Sequence, residues 1–309
     1  MNTCLESQFF FLGGFTRLLH QAEKTRRHAF ATGTYSNLRT QFRSYFGFCV
    51  YFQRSPLPAN LDTICAYVQF LSRSLLPQSI TNYMSGVKLL HILLGHEYNF
   101  ADDIHLRLLL RGVKRLHPHI PKRAKPVVPA LLVSIAGVMN VHCSLHIATF
   151  ACSLLLFHTL ARLGSVLPTS QRSKLKTILL RKCVHLTSQG MLVSMRHTKT
   201  IQFGERCLNI PLVARDAITC PVKAYIAHLG SLGAGRKVGT VPAFLFQDHK
   251  GQILWLTKSL FIRTFRSLAL TAGDSDPAAY SGGTAYKRYL EFNMQNKLEL
   301  HSLFSLRLP

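Results

Sequence analysis

Acidic residues are scarce in this chain. It carries 13 aspartates and glutamates against 37 lysines and arginines, for a formal charge of +24 at pH 7. Between positions 104 and 204 there is no carboxylate side chain at all, although fifteen lysines and arginines occur there. Because such a stretch cannot neutralise itself, it favours a polyanionic partner, and a phosphate backbone is the commonest one.

Paired cysteines and paired metal ligands are also lacking. The eight cysteines show no CxxC spacing, which excludes a disulfide scaffold and is typical of a reducing compartment. His142, Cys143 and His146 lie close together, but no second ligand pair follows at zinc-site spacing. We therefore expect no metal and no cofactor.

No apolar run is long enough for a membrane span. The longest, residues 147–160, is interrupted by His158 and is better explained as a buried core helix. The apolar residues 9–12 have neither a basic segment before them nor a small-residue cleavage site after them, so we expect no secretion.

Helical periodicity dominates the first third of the chain. Apolar residues recur at helical spacing over 64–71 and 80–94, an aromatic helix through 35–49 precedes them, and a short helix over 103–116 follows. Four helices with short connections predict a compact bundle. We assign it to residues 28–117, after an N-terminal extension of residues 1–27.

A basic segment rich in proline separates this bundle from the rest. Residues 118–129 contain Pro118, Pro121 and Pro126 among basic side chains, which forbids a continuous helix and indicates an extended linker. Residues 130–292 then form the predicted second domain, and residues 293–309 a C-terminal tail.

The second domain combines helices with short strands. Two helices are expected over 130–163, and the apolar pattern then changes to strand-like segments at 184–186, 192–195 and 207–210. Helices return at 221–229 and 257–272, with an extended segment and turn over 244–251 between them. The predicted fold is therefore mainly α with a small antiparallel sheet.

Three motifs carry residues suited to chemistry on DNA. Arg162 follows the buried helix in Ala161-Arg162-Leu163-Gly164, Lys199 lies in a hairpin within Arg196-His197-Thr198-Lys199-Thr200, and Tyr289 ends Ala285-Tyr286-Lys287-Arg288-Tyr289. Strand exchange without a metal needs a nucleophile, cations for the transition-state phosphate and an acid for the leaving oxygen. Each residue alone also has an ordinary explanation: a helix cap, a solvated lysine or a packed tyrosine.

In order and context, these motifs resemble those of the tyrosine recombinase, or phage-integrase, family, closest to its eukaryotic retrotransposon and Crypton-type members. The resemblance covers residues 28–292 and implies a helical, SAM-like core-binding domain followed by an α+β catalytic domain. It implies that Arg162 holds the scissile phosphate and that Lys199 is the acid for the leaving oxygen. Tyr289 would be the nucleophile that forms a 3′-phosphotyrosyl link.

One segment of the family pattern is missing. After Tyr280-Ser281-Gly282 the family continues with His-x-x-Arg, whereas here Gly283-Thr284-Ala285 follows directly. The second histidine, the second arginine and a later histidine or tryptophan are absent, and Ser165 replaces a frequent acidic residue. Since each preorganised donor contributes roughly 10²–10³ in rate, we expect DNA binding without cleavage. Such a chain is either a defective recombinase or the product of aberrant splicing.

The expected partner is double-stranded DNA in the nucleus, held by a clamp that the two domains form. The process that we expect the protein to take part in is DNA recombination and integration. A homo-oligomer on DNA is compatible with this expectation, but a membrane or a small-molecule substrate is not. Cations expected to contact DNA are Arg39, Arg43, Lys88, Arg111, Lys114, Arg115, Lys122, Arg123, Lys125 and Arg196.

A basic RNA-binding or chromatin structural protein without recombinase ancestry is the alternative. In that case Arg162 and Lys199 would matter no more than any other cation, and single-stranded RNA would compete well with duplex DNA.

Overall fold

The fold is mainly helical with a small antiparallel sheet, which confirms the predicted class. The computed structural model describes residues 3–26, 28–100, 103–119, 124–173, 175–198, 201, 205–233 and 239–280. The chain divides into two compact units between positions 121 and 122, inside the segment expected to be a linker.

The first unit consists of helices. They are α1 (Thr3–Arg26), α2 (Thr32–Tyr51), α3 (Leu61–Ser72), α4 (Pro77–Leu93) and α5 (Ile104–Leu116). The predicted bundle corresponds to α2–α5, whose apolar faces meet in one core around Tyr45, Ile64, Tyr67, Ile80 and Val87.

Local signals in the sequence explain where these helices begin. The side chain of Asn60 accepts a hydrogen bond from the backbone N–H of Thr63 at 2.8 Å, and Asp103 accepts one from Leu106 at 3.0 Å. Both are N-caps that satisfy a backbone donor left unpaired in the first turn. Pro77 begins α4 at a position where its missing N–H costs nothing.

The second unit begins with two helices that the sequence predicts. They are α6 (Pro129–Val138) and α7 (Ser144–Thr159). From Ala148 to Leu156 every residue of α7 is buried. A helix that is buried all round lies at the centre of a core, as expected from its apolar run.

The sheet contains β1 (Val184–Leu186), β2 (Gly190–Met195) and β3 (Leu208–Val213), in the order β1-β2-β3 with antiparallel pairing. The third strand continues past Pro211, further than the sequence predicts. Proline is tolerated there because β3 is an edge strand. At Gly190 a side chain would collide with the carbonyl oxygen of Leu212, so this glycine allows the close pairing of β2 and β3.

Four further elements of the second unit are α8 (Leu163–Val166), α9 (Pro221–Gly230), a hairpin of β4 (Leu245–Gln247) and β5 (Ile253–Trp255), and α10 (Lys258–Thr271). The sequence indicated only the first strand of this hairpin. Phe244, Phe261, Phe265 and the residues of α7 contribute to one continuous core.

A polar cluster lies inside this core. His228 is fully buried, and Arg181 and Tyr225 are nearly so. Burial, with the nearby charge of Arg181 as a second cause, lowers the pKa of His228 to about 3. The imidazole is therefore neutral in the folded protein at any physiological pH.

Among the residues described, no helix is both long and apolar enough to cross a membrane. The cysteines whose side chains the structure describes are free thiols.

Candidate nucleic-acid interface

Helix α5 presents a basic face to solvent. Arg107, Arg111, Lys114 and Arg115 are all exposed, while Leu106 and Val113 on the other side are buried against the bundle. The four cations follow one another at i, i+4, i+7 and i+8, so they lie on one face and span about 12 Å. The helix itself contains no carboxylate.

This geometry suits a phosphate backbone. Double-stranded DNA carries one negative charge per about 1.7 Å of its axis, and its major groove is wide enough for an α-helix. Arg111, Lys114 and Arg115 were expected to contact DNA. Arg107 was not, although its spacing to Arg111 already places it on the same helical face.

Arg39 and Arg43 form a second exposed pair in the first unit. They lie one helical turn apart on α2, and Lys88 is exposed on α4. Arg39 and Arg43 border a groove of about 770 Å³ that Phe30, Tyr35, Phe42, Phe46 and Arg26 also line. Aromatic and guanidinium groups together can stack on unpaired bases.

Of the three linker cations, only Lys125 lies within the described residues. Its ammonium contacts both carboxylate oxygens of Asp274, at 2.7 and 2.8 Å, and its backbone N–H donates to the carbonyl of Ala279. A DNA phosphate would have to compete with Asp274 for this ammonium. The proposed DNA contact of Lys125 stays a prediction, and so do those of Lys122 and Arg123, which lie outside the described residues.

The Lys125–Asp274 pair belongs to a larger network at the end of α10. The hydroxyl of Tyr280 donates to Asp274 at 2.6 Å, and the guanidinium of Arg266 donates to the carbonyls of Ala278 and Tyr280. Hydrogen bonds from Lys125 and then Tyr280 lower the pKa of Asp274 to about 2. The network holds residues 274–280, the last that the structure describes, against α10 and Lys125.

Arg162 lies at a sharp change of direction. Helix α7 ends at Leu160 in the left-handed conformation, with φ 55° and ψ 24°. A residue other than glycine costs roughly 1–2 kcal/mol in this conformation, so the turn stores strain. Arg162 then occupies the N-cap position of the short helix α8 without a side-chain hydrogen bond, and Leu163 and Val166 anchor this helix in the core.

The donors of the Arg162 guanidinium are unpaired within the described part of the chain. The side chain is half-buried, and it makes no hydrogen bond or ion pair with any residue that the structure describes. An arginine acting as a structural cap would use its donors on nearby carbonyls or carboxylates. Its donors remain available for an anion.

A second cation lies beside this turn. Lys258 begins α10, and its backbone N–H donates to the carbonyl of Pro168 at 2.9 Å. Its ammonium nitrogen is only 3.3 Å from the position that a Cβ atom on Gly164 would occupy. Lys258 was not predicted from the sequence, because 94 residues separate it from Gly164.

The remaining predicted site residues are only partly visible. Arg196 is exposed directly after β2, at the start of the predicted hairpin. Lys199 and Tyr289 lie outside the described residues, so their roles as acid and nucleophile stay predictions.

Within the described part of the chain, no three histidine, cysteine or acidic side chains gather as a metal site would require. His146, one member of the group noted in the sequence, uses Nδ1 to accept a hydrogen bond from the backbone N–H of Asn140.

Comparison with known proteins adds no assignment. A scan against protein-family models finds no match, and a search of curated proteins finds none either.

Proposed function

We propose that this protein binds duplex DNA as a relative of the tyrosine recombinases and does not cleave it. The basic face of α5 carries the proposal. Four exposed cations lie on one helical face without a carboxylate on that helix, and they repel one another, although Lys114 and Arg115 also favour the negative end of the helix dipole. A phosphate backbone removes this repulsion.

The second unit supports the proposal independently. Arg162 follows a strained turn, and its donors are unpaired among the described residues. The resemblance to recombinases expects a phosphate-binding arginine at this position. Backbone strain of this kind persists where the surrounding structure holds a residue in place, and it is commonest at binding and catalytic sites. The order of bundle, linker and α+β unit also agrees with that of a recombinase.

The loss of cleavage follows from what the sequence omits. The family segment with His-x-x-Arg is missing after Tyr280, and each donor that it would supply contributes roughly 10²–10³ in rate. Within this proposal Arg162 positions a phosphate, and Tyr289 and Lys199 no longer complete a catalytic centre. Free thiols and a high positive charge agree with a role in the nucleus.

A basic RNA-binding protein remains the second candidate, and the groove on α2 favours it. Phe30, Tyr35, Phe42 and Phe46 offer aromatic surface beside Arg39 and Arg43, and 41% of Tyr35 is exposed. Stacking of single-stranded bases needs this combination.

Competition binding separates the two candidates. The full chain is titrated with a labelled duplex and a labelled single-stranded RNA of equal length at several matched salt concentrations. We expect the duplex to bind more tightly, with an affinity that falls steeply as salt rises. Tighter binding of the RNA, weakened by Tyr35→Ala, would reject the duplex-binding proposal.

A further inference from the structure

Lys258 of α10 approaches the short segment that begins at Arg162 in the second unit. Gly164 is exposed on α8, Arg162 lies two residues before it, and the ammonium of Lys258 lies over it. A Cβ atom at this position would lie only 3.3 Å from the ammonium, so glycine lets the flexible lysine approach without being displaced.

Among the residues that the structure describes, neither cation is paired with a carboxylate. Like Arg162, Lys258 makes no hydrogen bond through its ammonium and no ion pair with the described residues. Two described carboxylates of this unit are used elsewhere: Asp274 pairs with Lys125 and Asp216 pairs with Lys223. A lysine that approaches the segment following an arginine, with no described carboxylate paired to either, favours an anion as the partner of both.

We infer that Lys258 and Arg162 bind the same phosphodiester group of DNA, with Lys258 as a second phosphate ligand. This inference rests on the proposed duplex binding and adds a residue to it. The arginine offers a planar pair of donors, whereas the lysine offers a compact charge that can reach a neighbouring oxygen. Arg162 stands at the N-cap position of α8, and Lys258 is the first residue of α10. Both backbone positions are therefore fixed before DNA binds.

Duplex affinity of substituted chains tests the inference. We expect Lys258→Gln and Arg162→Gln each to weaken binding by about tenfold or more, because each removes a charge-assisted hydrogen bond to phosphate. Lys250→Gln is the matched control: Lys250 is exposed in the turn between β4 and β5, and its loss lowers the net charge equally. It should change affinity only slightly.

The double variant distinguishes one shared phosphate from two separate ones. If both residues hold the same group, Arg162→Gln with Lys258→Gln will lose clearly less affinity than the product of the two single losses. Multiplicative losses would show that the two cations act on different phosphates and would overturn the inference.

Two further variants guard against a merely structural effect. Lys258→Arg keeps the charge and should retain affinity within a few fold. Gly164→Leu puts a side chain where the ammonium lies, so it should weaken binding in the native chain but not in a Lys258→Gln background. Thermal melts of each variant confirm that the chain is folded.

The failures of the inference and of the proposed function look different. The inference alone would be overturned if the native chain binds duplex DNA with a steep salt dependence but Lys258→Gln changes the affinity no more than Lys250→Gln does. A chain without duplex affinity at low salt would overturn both.

Discussion

At the scale of single residues, unpaired polar groups and strained backbone indicate which positions serve a function besides stability. Leu160 adopts a left-handed backbone conformation that glycine would adopt more easily, directly before Arg162. The buried neighbours of Arg162 hold α8 in position and leave its guanidinium half-exposed. The strain and the free donors occur at the same point, and this coincidence distinguishes Arg162 from the many cations that are simply solvated.

Lys125 illustrates the opposite case. Its charge and its place in a basic linker predicted a contact with DNA, but its ammonium pairs with Asp274, a residue 149 positions away in the sequence. Such a distant partner has no local signature. The pair attaches the start of the second unit to its last described residues.

His228 gives a prediction about acid stability. Its pKa is about 3 in the folded chain and about 6.5 when exposed, so below pH 6.5 the unfolded state binds a proton that the folded state does not. Stability should therefore fall as the pH is lowered from 7 to 5, by about 2 kcal/mol from this residue alone. Denaturant titration at both pH values measures it.

His228→Phe should make the stability of the second unit less dependent on pH, because phenylalanine can occupy the aromatic surroundings of Tyr225 and Phe244 without titrating. A shallower dependence should remain from His158, whose pKa burial also lowers. His142→Phe, at an exposed position, is the control. An unchanged dependence in His228→Phe would contradict the assignment.

At the scale of elements, α5 shows how much a local pattern can determine. Its N-cap follows from the aspartate at position 103. Its buried residues and its basic face follow from a 3.6-residue period that is visible in the sequence. The aromatic helix α2 and the buried helix α7 were predictable for the same reason. The edge strand β3 was not fully predictable, because tolerance of Pro211 depends on the absence of a further strand beside it.

The basic face of α5 gives a prediction on DNA affinity. Replacing Arg107, Arg111 and Arg115 together with glutamine should weaken duplex binding and reduce the slope of log affinity against log salt by roughly 0.9 per lost phosphate contact. Fluorescence anisotropy over a range of salt concentrations gives this slope.

The control removes the same charge elsewhere in the first unit. Arg17, Arg54 and Arg73 are exposed and lie outside α5, so their replacement with glutamine tests net charge alone. Equal slopes for the two triple variants would mean that α5 is not a specific contact surface.

At the scale of the whole molecule, the proposed function separates DNA binding from DNA cleavage. A large positive charge and two units with cationic surfaces are enough for binding. Cleavage needs a complete set of preorganised donors around one phosphate, and the missing segment would have supplied several of them. Under this proposal, the chain keeps the DNA affinity of a recombinase and lacks its chemistry.

Covalent capture provides the test of this separation. The full chain is incubated with a nicked duplex that would trap a 3′-phosphotyrosyl product, and the mixture is resolved under denaturing conditions. We expect no covalent complex for the native chain and the same result for Tyr289→Phe. A complex that forms with the native chain and disappears in Tyr289→Phe would show that the enzyme is active.

The transcript offers a second check on the same prediction. Sequencing across the codons for residues 279–285 shows whether the junction after Gly282 is genuine. An additional in-frame segment containing His-x-x-Arg would restore the expectation of an active recombinase.

The sequence by itself determined the class of the fold, the helices α2–α7 and the chain's own excess of positive charge. Periodicity, caps and charge act over a few residues, so they can be read without knowledge of long-range contacts. Tertiary structure alone decided which cations are free and which are not. Lys125 is neutralised by Asp274 and Lys258 approaches Gly164 across long separations in the chain, because only folding fixes which distant side chains become neighbours.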